Sequence, residues 1–91
     1  MPLYTVIFEY REGTYIEQVQ ASNESSAFKS WALKIDPNKI QHFGKKLKLK
    51  LIDDSKNEDY GPHLLNGLTN VWCAGWSMSG LINIIKTENQ I

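Results

Sequence analysis

Two histidines, one cysteine, ten carboxylates and four tyrosines are the side chains of this 91-residue chain best suited to bond-making, proton transfer or metal binding. His42, His63 and Cys73 stand 21 and 10 residues apart, and none falls in a CxxC, HxxH or HExxH arrangement. Close ligand spacing is what lets one turn or helix face hold a metal, so neither a metal nor any other cofactor is expected. Asp53, Asp54, Glu58 and Asp59 lack the alternate-residue spacing and central glycine of a calcium loop. They read instead as an exposed acidic connection over 53–66. Cys73 lies in Trp72-Cys73-Ala74, where a free cysteine is usually a small buried hydrophobe. A nucleophilic thiol there would need a base such as His63 or His42 beside it. Ser77 and Ser79 flank a turn and lie in no GxSxG motif. The six glycines are isolated, and no GxGxxG or GxxxxGK phosphate loop is present.

Three further groups remain. Glu17 interrupts an otherwise apolar strand face that also carries Tyr10 and Tyr15. Together these would form a small polar pocket, although a position at the sheet margin accounts for Glu17 more simply. Lys45, Lys46, Lys48 and Lys50 make a basic stripe if 45–52 is a strand, which could track nucleic-acid phosphates. Exposed strand lysine also serves to block edge pairing, and Arg11 is the only arginine. Leu3, Ile7 and Ile16 leave one hairpin face more apolar than water requires, and Trp76 adds a large side chain that could anchor a partner. These four are the candidate protein interface.

The elements that must position these groups follow from periodicity. Leu3 to Ala21 alternates most cleanly: Tyr4, Val6, Phe8 and Tyr10 face one way, Leu3, Thr5, Ile7 and Glu9 the other. A hairpin pairing Tyr10 with Tyr15 sets Val6 opposite Val19 and Tyr4 opposite Ala21. Ser22 or Asn23 caps a helix at 24–35 whose stripe is Ala27, Phe28, Trp31, Ala32 and Ile35. Asp36-Pro37 stops it. Pro37 opens a short turn that places Ile40 and Phe43 on one side. Lys45 to Ile52 alternates leucine with lysine and reads as a third strand with one wet face. Val71 to Met78 and Leu81 to Thr87 read as a second hairpin turning at Ser79-Gly80. Its suggested register pairs Met78 with Leu81, Trp76 with Asn83 and Ala74 with Ile85. A frayed tail is expected from Glu88 onward.

With the first hairpin and helix in place, a likeness emerges. Tyr4-Thr5-Val6-Ile7-Phe8-Glu9-Tyr10, followed by Gly13, Tyr15 and the helix at 24–35, resembles the opening of HicB-type antitoxins. The likeness covers about the first third of the chain. It implies a small cytoplasmic protein that neutralises a partner toxin, and it assigns no residue a role. Two departures stand out: the helix follows the second strand directly, and no DNA-binding helix-turn-helix or ribbon ends the chain.

Composition bounds the rest. Ninety-one residues suffice for one small domain with its own core. Ten basic and ten acidic side chains cancel, so no long-range attraction to a polyanion follows from the total. No apolar run approaches the roughly 18 residues of a membrane span, and no basic segment leads into an apolar run as in a secretory signal. The expected fold is a two-layer α+β sandwich over 1–91, a mainly antiparallel five-stranded sheet in the order β-β-α-β-β-β. The expected function is a non-catalytic protein-interaction or inhibitory module in the cytoplasm, its partner another protein or a second copy. Nucleic-acid binding through 45–50 and a small enzyme using Cys73 or the Tyr/Glu pocket are the alternatives; no membrane partner is expected.

Overall fold

The alternation of the opening stretch becomes two eight-residue antiparallel strands, β1 (Leu3–Tyr10) and β2 (Gly13–Gln20), in a computed structural model that describes residues 1–88. The hairpin is tighter than the sequence suggested. Tyr10 pairs with Gly13, Val6 with Glu17 and Tyr4 with Val19, a shift of two residues. The loop shrinks to Arg11-Glu12, with Arg11 in the left-handed region at φ 56°, as a two-residue hairpin turn demands. Because the shift is even, every side chain keeps its expected face.

Helix α1 (Glu24–Lys34) follows directly. Asn23 caps it by accepting the Ser26 amide at 2.8 Å, and Glu24 and Lys34 complement its two dipole ends. Ala27, Phe28, Trp31, Ala32 and Ile35 are all buried, as their spacing predicts. After a 3-10 turn at Pro37–Lys39, Ile40 and Phe43 enter the same core.

The next element departs from expectation. Residues Gly44–Ser55 form a helix, α2, not a strand. Leucine and lysine rank among the better helix formers, and no β-branched residue occurs between 44 and 51 to oppose it. Leu47, Leu51, Asp54 and Ser55, at i, i+4, i+7 and i+8, form its inward stripe. The alternating leucines are therefore not equivalent: Leu51 is fully buried, whereas Leu49 is 64% exposed.

The remaining strands are β3 (His63–Leu64), β4 (Val71–Ala74) and β5 (Leu81–Glu88). The stretch 53–66 is correspondingly more ordered than an exposed connection. It holds the end of α2, a 3-10 turn at Glu58–Tyr60 and β3, and Asp54 within it is buried. Strand β4 ends at Ala74, well before Met78, and Ala74 pairs with Ile82 while Trp72 pairs with Ile84. The connection is thus a six-residue loop rather than a tight Ser79-Gly80 turn. Of the expected tail, Glu88 belongs to β5, and residues 89–91 lie outside the described residues.

All five strands join one antiparallel sheet in the order β2-β1-β5-β4-β3, giving an α+β architecture. Tyr4, Val6, Phe8, Tyr10, Val19, Ala74, Ile82 and Ile84 share a core with both helices. Phe8 is its hub, with the rings of Trp31, Trp76, Tyr10 and Phe43 at 5.2–5.8 Å. Among the described residues, no helix is long and apolar enough to cross a membrane.

Candidate functional site: the uncovered sheet face

Strand alternation that sends Phe8 and Ile84 into the core sends a second set to the other side. Across the middle run Ile16, Ile7, Asn83, Cys73 and His63 as successive cross-strand partners. Beside them runs a second row of Gln18, Thr5, Ile85 and Val71, and Thr14, Glu9 and Leu81 make a third. Both helices lie on the opposite face, so among the described residues nothing covers these rows. Ile16 is 61% and Leu81 55% exposed; Leu3, Ile7, Val71, Cys73 and Ile85 are half-buried by their neighbours alone. Within the second row the Thr5 hydroxyl accepts from the Gln18 side-chain amide, and it also meets the Thr87 hydroxyl. The face mixes aliphatic side chains with uncharged hydrogen-bonding groups, Asn83 and Thr5 standing among them and Gln18, Thr14 and His63 on the outer strands. Among its described side chains Glu9 alone carries a formal charge, in a chain with twenty charged residues. Depletion of charge around exposed aliphatics is the compositional mark of an interface core.

The structure brings Leu3, Ile7 and Ile16 together here, but not Trp76. Trp76 is only 6% exposed and packs against Phe8, Tyr10 and Phe43 on the core side. It belongs to the β4–β5 loop, which folds back over the core, so it offers a partner no anchor. Periodicity did not reveal Val71, Leu81 and Ile85 as members of the face, because that requires the β1–β5 and β4–β5 pairings.

The tyrosine–glutamate pocket is divided in two. The Tyr10 hydroxyl donates to the His42 carbonyl at 3.1 Å, and the Tyr15 oxygen accepts the Gln41 amide at 3.4 Å. These bonds clasp the hairpin to the loop before α2, beside a depression of about 310 Å³ that Arg11 also lines. The Arg11 guanidinium lies 5.6 Å from the Tyr10 ring centre. Glu17 faces a second groove, which Tyr15 also lines but Tyr10 does not, and there the Lys34 ammonium lies 3.8 Å from its carboxylate. A phenol bound to a backbone carbonyl and a carboxylate paired elsewhere do not make one acid–base site. On the core side of β1, burial, with a lesser contribution from Glu24, pushes the Tyr4 phenol above its ordinary range.

His63 and Cys73 are brought opposite one another, a juxtaposition their ten-residue separation did not reveal. No hydrogen bond joins them; the thiol points to the Ala74 carbonyl at 3.9 Å. Among the described residues, no group of three or more metal-ligating side chains forms.

The lysine stripe disappears with the strand that would have carried it. Residues two apart on a helix lie about 200° apart, so Lys46, Lys48 and Lys50 fan around α2. Lys45, Lys46 and Lys50 are exposed around Leu49, and Lys48 is half-buried on another side.

No family model, no curated protein and no solved structure matches this chain.

Proposed function

We propose that this chain is a non-catalytic, cytoplasmic protein-interaction module, and that its working surface is the uncovered face of the sheet. The observation that supports this reading is the field formed by Leu3, Ile7, Ile16, Val71, Leu81 and Ile85, with Glu9 its one described charge. A largely antiparallel sheet with one face in water normally alternates apolar-in with polar-out. Here the outward set carries Ile16 on β2, Leu3 and Ile7 on β1 and Leu81 and Ile85 on β5, interrupted by Thr5 and Asn83, a cost in solubility that a binding surface would explain. An inhibitory module, as the likeness to antitoxins implies, would act through the same face by covering a partner's surface.

The test is photo-crosslinking in the native cell from single positions. Ile16 and Leu81 on the face, and Leu33 and Leu49 on the outer sides of the helices, are comparably exposed aliphatic positions. Crosslinks to one protein species from the face positions, absent from the helix positions, are the expected result. Equal or no crosslinking from the two sets would refute the assignment.

A further inference from the structure

Resting on that reading of the sheet face, we infer that its occupant is a second copy of this chain, packed sheet against sheet about a two-fold axis. Size is the first argument. Three eight-residue strands flanked by β4 and β3 present roughly 500 Å² of sheet, from the usual rise per residue and strand spacing. Two such faces bury roughly 1,000 Å² in total, just reaching what a specific interface requires. The expected product is a reversible dimer with a dissociation constant in the micromolar range, on the order of 1–100 µM.

Charge is the second argument. A two-fold contact sets the part of the surface on its axis against itself, so a strongly charged patch at the centre of the face would meet its own sign. This face avoids that conflict, because Glu9, its one described charge, stands at the end of β1 in the outermost complete row. A polyanion or a strongly charged partner would find no complementary field there. A second copy also presents a cover of matching size and equal need for burial. Aligned sheets pack about 10 Å apart with interdigitating side chains, and the exposed Ile16 and Leu81 are suited to that role.

Cys73 supplies a native reporter, since it is the chain's single cysteine and sits half-buried within the middle row. Sedimentation equilibrium and the rate of Cys73 alkylation are measured together from about 1 µM to about 500 µM protein, bracketing the expected dissociation constant. The mass should rise from the 10.4 kDa of one chain towards twice that value. Alkylation should slow at least about threefold over the same range, the fall in the free-monomer fraction at the weak end of the expected affinity. The double variant Ile16→Glu, Leu81→Lys changes only exposed side chains, and near-ultraviolet circular dichroism would confirm that its tryptophan environments are intact. It should remain at the one-chain mass, with concentration-independent alkylation. A wild-type chain that stays at 10.4 kDa with a constant Cys73 rate overturns the second-copy proposal. So does a dimer that persists in the double variant. In either case, face-specific crosslinks to another protein would leave the interaction-module reading standing, and their absence would remove that as well.

Discussion

At the scale of single residues, Asp54 is the clearest case of a side chain whose place looks unfavourable until its partners are counted. It is a buried carboxylate in the last turn of α2, where the helix dipole opposes negative charge. The Ser77 amide and hydroxyl both donate to it at 2.7 Å, fastening the helix to the loop between β4 and β5. That loop carries Trp76 into the core, so the contact helps close the aromatic cluster. Replacing Asp54 by alanine should cost about 2 kcal/mol, the range for hydrogen bonds to a charged group, discounted because Ser77 itself reaches water. Ser77→Ala should cost about 1 kcal/mol, since the amide remains. Urea unfolding of both single variants and the double variant should show coupling between them; strict additivity would count against the contact. This bond was not legible in the sequence, where Asp54 reads as one of four solvated acids. Glu17 was legible: its anomaly on an apolar face survives as an edge-strand position paired with Lys34.

Among the elements, those with β-branched and aromatic content were readable, and the one built from leucine and lysine was not. β1, β2 and α1 each combine a periodicity with residue types that favour the same structure. In Lys45–Leu51 the period-two pattern argues for a strand while the residue types argue for a helix, and the helix prevails. Its inward stripe includes Asp54 and Ser55, which a search for hydrophobic spacing passes over. The two structures differ measurably. A strand would make Leu49 and Leu51 equivalent, whereas α2 predicts about 2–4 kcal/mol lost on Leu51→Ala and under about 0.5 kcal/mol on Leu49→Ala. Chemical denaturation of the two variants decides it, and equal losses would refute the helix. The uncovered face was half-legible for a related reason. Leu3, Ile7 and Ile16 lie within one hairpin, but their neighbours arrive through pairings made across the whole chain.

At the scale of the molecule, the sheet has one long free edge as well as one free face. β2 is an outer strand of eight residues with neither proline nor lysine among them. Its one charge is Glu17, turned towards the helix side beside the fully buried Val6, and an inward charge is a recognised obstacle to edge pairing. Glu17→Val should therefore raise association through β2. In a background carrying Ile16→Glu and Leu81→Lys, sedimentation velocity should show an edge-paired dimer where the parent stays at the one-chain mass. A variant no more prone to assemble than its parent would show that the edge is protected by other means. The strand order has a different consequence, in time rather than space. β1 lies between β2 and β5, so that Thr5 and Thr87, 82 positions apart, end side by side. At the usual pace of translation, roughly 4–16 s separate the appearance of the two strands on a ribosome. Throughout that interval the hairpin and α1 lack the strand carrying Ile82 and Ile84, and one flank of Val6 and Phe8 stays open. The sheet is therefore completed only after β5 has emerged, and until then the nascent chain offers a hydrophobic strand edge to whatever binds such edges in the cell.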